Sequence, residues 1–142
     1  MEEKMEINAI YNEDCFDIME QQFEDKSIDL ILTDPPYGIT NCKWDKKIDL
    51  ERMFCAFNRI IKDHGVILVT ATQPFATDVI NANRKYFRYD WVWEKTMAVG
   101  FANCRRMPLR AHESILVFYK KLPTYNPQGL IKIEKKIKKR KN

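Results

Sequence analysis

The pattern of hydrophobic and polar positions along the chain predicts strands and helices in alternation. Short apolar runs indicate strands, and helical spacing of apolar side chains indicates helices. The run at 28–33 is compact and precedes two prolines, which is typical of a buried strand. Such an alternation predicts an α/β fold with a largely parallel sheet and flanking helices. The predicted strands lie at 7–11, 28–33, 66–70, 89–94 and 114–119, and the predicted helices at 14–23, 50–61 and after Pro74.

The segment 50–61 is the clearest helix in the sequence. Its apolar side chains recur at i, i+3, i+4 and i+7, and Asp49 precedes it as a candidate N-cap. We expect this helix to end at Gly65, in the left-handed conformation that often caps a helix. A polar loop is predicted at 95–112 and a turn at 124–127.

Two tryptophans alternate on the predicted strand at 89–94. Alternating aromatic side chains pack well on the surface of a sheet. We therefore interpret Trp91 and Trp93 as core and cross-strand packing groups. Stacking on a nucleobase is the alternative role for such rings.

The predicted strand at 28–33 runs directly into the sequence T-D-P-P-Y-G at 33–38. Ligands of open α/β sheets bind beyond the carboxyl ends of strands, so this segment is the first place to look for chemistry. A D-P-P-Y tetrapeptide is expected by chance in roughly one in a thousand chains of this length. An ordinary proline turn is therefore the weaker interpretation.

Each residue type in this motif suits the polarisation of an amine. Asp34 can offer a carboxylate oxygen and Pro35 a backbone carbonyl, so that two acceptors face the two N–H bonds of an exocyclic amine. Proline has no N–H, and the residue before a proline is held extended, which fixes the direction of Asp34. Tyr37 offers a flat face for stacking of a base, and Gly38 allows a close approach of the backbone to a ligand.

The motif resembles the catalytic loop of the amino-group DNA methyltransferases, which use S-adenosylmethionine. Later blocks, among them F-R-Y-D-W-V-W-E-K at 87–95 and H-E at 112–113, resemble the bacterial and phage adenine-specific branch of that family. The resemblance implies a Rossmann-like methyltransferase fold. It also implies transfer of a methyl group to the N6 amine of an adenine flipped out of double-stranded DNA. The catalytic residues implied are Asp34, Pro35, Pro36 and Tyr37.

An acidic segment, Asn12-Glu13-Asp14-Cys15, follows the first predicted strand. By the resemblance, Asp14 and Cys15 lie near the cofactor, together with Asp34. Glu13 stands where the family commonly has a glycine. The alternative is that Asp14 only caps the helix that follows it.

Charge is distributed unevenly along a chain whose net charge is +4. Residues 1–34 hold eleven acidic side chains against two lysines, and residues 130–142 hold seven basic side chains against one acidic. A basic later part favours contact with a polyanion such as DNA, and a solvated loop and tail are the alternative. The expected DNA contacts are Gly38, Lys95, Asn103, Arg105, Arg106 and Arg110.

The cysteines and histidines indicate no metal site. The four cysteines include no C-x-x-C pair, and the two histidines are not at ligand spacing from them. We predict reduced thiols packed as small apolar side chains.

No apolar run approaches the roughly 20 residues of a membrane helix, and residues 1–4 include no apolar segment of a secretory signal. A cytoplasmic protein without a membrane partner is therefore expected.

The F-x-G-x-G cofactor loop of the family is not found in the 142 residues. In the branch that this chain resembles, the loop is expected near the C-terminus, after a target-recognition region. We therefore expect residues 1–129 to be a partial catalytic domain that a second chain completes, and residues 130–142 to be a flexible basic tail. The alternatives are an inactive remnant that only binds nucleic acid, and a cytosine-N4 methyltransferase. The four glycines, none of them in a G-x-G pair, are Gly38, Gly65, Gly100 and Gly129.

Overall fold

The computed structural model describes residues 8–38, 40 and 42–131 of the chain. Helices and strands alternate along most of this length, which confirms the predicted α/β class. The helices are α1 at Cys15–Gln22, α2 at Leu50–Ile60 and α3 at Phe75–Ala82. The strands are β1 at Ile28–Thr33, β2 at Ile61–Ala71, β3 at Phe87–Val99 and β4 at Arg110–Phe118, and a 3₁₀ turn lies at Phe101–Asn103.

The four strands form one sheet in the order β1-β2-β4-β3. β1 and β2 are parallel, whereas β4 is antiparallel to both of its neighbours. Among the described strands, β1, β2 and β3 therefore run in one direction and β4 runs opposite to them, so that the predicted α/β sheet is a mixed one. The connection from β3 to β4 contains only a 3₁₀ turn and no crossover helix, and strands connected in this way pair antiparallel. The parallel pair remains, and it positions the site described below.

Helix α2 packs its apolar face against β2, as its periodicity predicted. Met53 and Phe57 are buried there in one cluster with Val69 and Phe118. Burial of each such side chain contributes about 1.5–3 kcal/mol. At the start of the helix, the Asp49 side chain accepts a hydrogen bond from the Arg52 N–H at 3.0 Å, which confirms the predicted N-cap.

The end of α2 differs from the prediction. The chain passes at Ile61 directly into β2, so Gly65 lies inside a strand and does not cap the helix. Gly65 is not among the residues with a positive φ. A Cβ at this position would instead lie 2.9 Å from the carbonyl oxygen of Asp29 in β1. Glycine is required here because the two strands approach closely where their register shifts.

Three further segments differ from their predicted structure. Residues 8–11 form no strand, and Ile7 lies outside the described residues. Most of the predicted polar loop at 95–112 is strand or 3₁₀ turn, because β3 continues to Val99 and β4 begins at Arg110. The segment 124–127 has no assigned turn. Most of the predicted tail, residues 132–142, also lies outside the described residues.

The sheet is less buried than its apolar runs indicate. Leu30 and Leu32 on β1 are 52% and 65% exposed, and Trp91 and Trp93 on β3 are each 45% exposed. The interpretation of the two tryptophans as core residues is therefore wrong. Helices α2 and α3 pack against the inner strands β2 and β4, which leaves the edge strands less covered. All four cysteines are free and exposed, so the prediction of packed thiols is wrong as well.

Candidate active site

Asp34 follows β1 directly and lies beside the end of β2. In the parallel register Thr33 is paired with Val69, so the next residues, Asp34 and Thr70, are neighbours at the carboxyl ends of the two strands. Pro35 then ends the strand, because proline cannot donate a hydrogen bond to a sheet. The backbone thus presents the Asp34 carboxylate at the edge where sheets of this kind bind ligands.

One oxygen of the Asp34 carboxylate is held by two hydroxyl groups. Thr70 Oγ1 donates a hydrogen bond to Asp34 Oδ1, and the Tyr37 hydroxyl donates to the same oxygen at 2.9 Å. The Tyr37 hydroxyl also lies 3.1 Å from Thr70 Oγ1. Within the described part of the chain, no hydrogen bond reaches Asp34 Oδ2. The two hydroxyls therefore orient the carboxylate and leave one oxygen to accept from a ligand.

A buried carboxylate holds the loop that follows the motif. Asp45 is 7% exposed and accepts hydrogen bonds from the Gly38 N–H at 2.7 Å and the Thr40 N–H at 2.6 Å. Gly38 has a φ of +68°, and a Cβ there would lie 3.0 Å from the backbone nitrogen of Lys47. The close approach at Gly38 is therefore to the chain itself, and the positive φ also favours glycine.

Tyr37 is fixed by its ring as well as by its hydroxyl. The ring stacks on Phe75, the first residue of α3, with centroids 5.0 Å apart and 23° between the planes. Burial of the phenol raises the pKa of Tyr37 from 10.0 to about 12, with a further contribution from the Asp34 and Glu113 carboxylates against the opposing effect of the Thr70 hydrogen bond. The hydroxyl therefore keeps its proton at neutral pH and can donate it to Asp34.

The motif lines a cavity of about 390 Å³. One wall is the segment 34–37, and a second is formed by Thr40, Trp44 and Asp45 of the following loop. The remaining lining residues are Lys95 on β3 and Glu113 on β4. A volume of this order is typical of small-molecule sites. All four predicted catalytic residues and one predicted DNA contact, Lys95, thus line a single cavity.

Asp14 and Cys15 begin α1 and are not among the residues that line this cavity. The Asp14 side chain accepts a hydrogen bond from the Phe16 N–H at 2.9 Å, which confirms that it caps the helix. Partial burial and the neighbouring Asp14 charge raise the pKa of the Cys15 thiol. Cofactor contacts of these two residues stay a prediction.

The other predicted DNA contacts are not among the residues that line the cavity. Gly38 is held in the loop that Asp45 clamps. The remaining four are exposed on the connection from β3 to β4 and at the start of β4, where they form a basic, solvent-facing group. Contact of these four residues with phosphates stays a prediction. The four are Asn103, Arg105, Arg106 and Arg110.

Sequence reasoning did not assign Thr70, Asp45 or Glu113 to the site. Thr70 had a usable signal, because it ends an apolar strand just as Thr33-Asp34 ends the preceding one, and parallel strands align their carboxyl ends. Asp45 and Glu113 had no local sequence signal. The role of Asp45 depends on how a loop folds back, and that of Glu113 depends on how β3 pairs with β4.

The raised pKa of Tyr37 predicts a specific loss of stability at alkaline pH. A group whose pKa is higher in the folded chain favours folding fully below its unfolded value, and this contribution is lost as pH rises through the folded value. Between pH 10.0 and about 12, wild type should therefore lose more free energy of unfolding than Tyr37→Phe. Urea unfolding of both proteins across this window measures the difference. Equal losses of free energy of unfolding in wild type and Tyr37→Phe would show that the phenol is solvated.

Comparison with known proteins identifies relatives over most of the chain. A family model described as DNA methylase, N6_N4_Mtase, matches residues 28–142. The chain is 29% identical over 135 residues to the type II methyltransferase M1.MboII of Moraxella bovis, which covers 86% of this chain and 50% of the relative. It is 29% identical over 122 residues to the type II methyltransferase M2.MboI of Moraxella bovis, covering 68% of this chain and 44% of the relative. The chain thus spans about half the length of the curated relatives it matches.

Solved structures share the fold. The crystal structure of an M1.HpyAVI–SAM complex matches with a TM-score of 0.59 at 16% identity, covering 87% of this chain and 63% of that one. The cytosine-N4-specific PvuII DNA methyltransferase matches with a TM-score of 0.58 at 17% identity, covering 80% of this chain and 49% of that one. At these identities the likeness concerns the fold, and it supports the predicted methyltransferase-like α/β architecture.

The described residues include neither a membrane-spanning helix nor a cluster of metal ligands. None of their helices is long and apolar enough to cross a membrane. Among the same residues, no group of three or more histidine, cysteine, aspartate or glutamate side chains could hold a metal ion.

Proposed function

The chain belongs to the N6/N4 DNA methylase family, and we propose that it provides the catalytic part of an enzyme that methylates the N6 amine of adenine in double-stranded DNA. S-adenosylmethionine is the proposed methyl donor, and the cytoplasm the proposed location. The observation that supports this proposal is the Asp34 carboxylate, which lines the cavity with one oxygen held and one oxygen available.

The chemistry of an aromatic amine explains why this arrangement suits the reaction. The lone pair of such an amine is delocalised into the ring, so the nitrogen is a poor nucleophile until both of its N–H bonds meet acceptors. Asp34 Oδ2 is one acceptor, and the carbonyl of Pro35, which lines the same cavity, is the other in our proposal. Orientation of the amine and fixed negative charge beside it then lower the barrier.

The described residues fit part of S-adenosylmethionine. When bound, it supplies a methyl group on a positively charged sulfonium. The Asp34 carboxylate and the aromatic rings of Tyr37 and Trp44 line the cavity and suit a cation. The amino acid end of this donor requires backbone N–H groups, which the family provides from its glycine loop. We propose that a complementing segment supplies that loop.

The edge of the sheet is compatible with such a complement. Among the described strands, β1 lies at an edge of the sheet, and its Leu30 and Leu32 side chains are largely exposed. An uncovered apolar edge strand is suited to pairing with another strand. The proposed partners are therefore double-stranded DNA and a chain or segment that pairs along β1.

Adenine is the proposed target on two features of the sequence. The first position of the motif is aspartate, and the blocks at 87–95 and 112–113 resemble the adenine-specific branch. Cytosine-N4 methylation is the competing possibility, since a cytosine-N4-specific enzyme shares the fold. The methylated nucleoside decides between the two.

The test is a product analysis in a host that lacks DNA methylation. The gene is expressed with its genomic flanks, the host DNA is digested to nucleosides, and methylated nucleosides are quantified by mass spectrometry. We expect N6-methyladenine from wild type and far less of it from Asp34→Ala. N4-methylcytosine would overturn the choice of adenine. Equal product from wild type and Asp34→Ala would overturn the role of the motif.

Thr70 should matter for the rate of methyl transfer rather than for binding. Thr70→Val keeps the shape of the buried side chain but removes the hydrogen bond to Asp34 Oδ1, so that the carboxylate is less well oriented. A lost hydrogen bond to a charged group predicts about a tenfold lower kcat with an unchanged KM for DNA. Thr70→Ser, which keeps the hydroxyl, is the matched control and should restore most of the rate. If Thr70→Val and Thr70→Ser have equal kcat, the hydroxyl does not orient Asp34.

A further inference from the structure

The lining of the cavity includes an ion pair between two neighbouring strands, β3 and β4. Lys95 Nζ lies 2.8 Å from Glu113 Oε2, and the two side chains are only 27% and 21% exposed. The Lys95 ammonium also lies 3.5 Å from the centroid of the Trp93 ring. Trp93 is paired with Glu113 across the strands, and side chains two residues apart share a face, so the three side chains lie together.

This pair is held more firmly than a surface ion pair. Exposed ion pairs contribute little because both side chains remain mobile and solvated. Here a carboxylate and an aromatic face both fix one ammonium beside a cavity, which restricts its position. An ammonium has three N–H donors, and Glu113 accepts from one of them. Lys95 can therefore donate to a molecule in the cavity without leaving Glu113.

The proposed substrate has an acceptor directly beside its amine. Once Asp34 and Pro35 accept from the exocyclic amine, the next atom on the same edge of the base is a ring nitrogen. It is N1 in adenine and N3 in cytosine, and in both bases it is an unprotonated acceptor. In the duplex this nitrogen pairs with the opposite base, and flipping removes that partner. A buried acceptor without a donor costs binding free energy.

We propose that Lys95, held by Glu113 and Trp93, donates a hydrogen bond to the ring nitrogen next to the amine of the flipped base. Lys95 is then a base-reading group and not a phosphate contact. The pair selects bases that carry an unprotonated ring nitrogen beside the amine on the Watson–Crick edge, and it disfavours guanine and thymine, which carry N–H at that position of the edge. This inference rests on the proposed function, because it takes a nucleobase amine as the ligand of the motif.

The test compares single-stranded oligonucleotides that differ by one atom. Short labelled strands of thymine carry one central adenine, 1-deazaadenine or 3-deazaadenine, and a second series carries cytosine or 3-deazacytosine. Dissociation constants are measured by fluorescence anisotropy at fixed salt. We expect wild type to bind 3-deazaadenine like adenine and 1-deazaadenine roughly tenfold more weakly. Lys95→Met should bind all three adenine strands alike, at the weaker level.

Two further variants separate base reading from general effects of charge. Lys85→Met removes an ammonium that also lies near an aromatic ring, that of Tyr86, but does not line the cavity. It should keep the wild-type discrimination. Glu113→Gln, which loosens the hold on Lys95, should reduce the discrimination without abolishing binding.

The outcomes distinguish this inference from the proposed function. Equal binding of adenine and 1-deazaadenine, and of cytosine and 3-deazacytosine, by wild type would overturn the role of Lys95. Discrimination that survives in Lys95→Met would overturn it as well. The assay needs neither methyl transfer nor cofactor, so discrimination by wild type that is lost in Lys95→Met would support base reading even if no methylated nucleoside were found.

Discussion

Phe118→Ala is expected to lower the free energy of unfolding by about 3–5 kcal/mol. Phe118 is 0% exposed at the end of the inner strand β4. Its ring centroid lies 5.2 Å from that of Phe54 on α2 and 5.5 Å from that of Phe87 on β3. Truncation therefore leaves a cavity where a helix and two strands meet. Equilibrium unfolding of the wild-type and variant chains in urea measures the loss of free energy.

The matched control is the same substitution at an exposed site. Phe101 is 80% exposed in the 3₁₀ turn, so Phe101→Ala should change the free energy of unfolding by less than about 0.5 kcal/mol. If the two variants were equally stable, β4 would not lie at the centre of the core. That result would contradict the strand order on which the position of Glu113 depends.

Hydrophobic periodicity predicted the elements whose signals are local. Helix α2 has its apolar face and the Asp49 cap within a few residues, and α3 starts directly after Pro74. The strand β1 was predicted at 28–33, where the structure has it, because a compact apolar run ends at two prolines. These features require no knowledge of what the segment packs against.

Features that depend on distant residues were not predicted. The local sequence around Gly65 predicts a helix cap, but glycine is needed there because the Asp29 carbonyl on the neighbouring strand leaves no room for a Cβ. The length of β3 and the antiparallel pairing of β4 arise between two segments whose polar residues locally indicate a loop. The exposure of Trp91 and Trp93 follows from their place on an edge strand, which only the strand order reveals.

The residues of the candidate site also fall into those with a local sequence signal and those that depend on distant residues. The motif at 34–37 was predicted because consecutive residues show both its side-chain types and its position directly after a strand. Thr70 and Glu113 complete the cavity from other strands, and their part in it follows from register and not from composition. The sequence could therefore indicate which carboxylate is proposed to accept from an amine, but not which residues orient that carboxylate or line the cavity with it.

Asp34→Ala is expected to reduce methyl transfer by about 100- to 1,000-fold, the range seen when one group that stabilises a transition state is removed. The variant loses an acceptor on the amine and also the oxygen that Thr70 and Tyr37 hold. Its stability should change little, because Asp34 is exposed in a loop. The measurement is the single-turnover rate of N6-methyladenine formation in the active enzyme that contains this chain, alongside urea unfolding of the variant.

Asp29→Ala is the matched control, since Asp29 lies on the strand that leads to Asp34 but its exposed side chain pairs with Lys62 outside the cavity. Its rate should equal that of wild type.

Asp34→Asn tests whether the two carboxylate oxygens have separate roles, because an amide has a single acceptor oxygen. If that oxygen accepts from Thr70 and Tyr37, the amide NH₂ faces the substrate amine; if it faces the amine, the two hydroxyls lose their acceptor. Asp34→Asn should therefore be slower than wild type in either orientation. An Asp34→Ala rate above about a tenth of wild type, a loss smaller than about 1.4 kcal/mol, would remove Asp34 from the reaction.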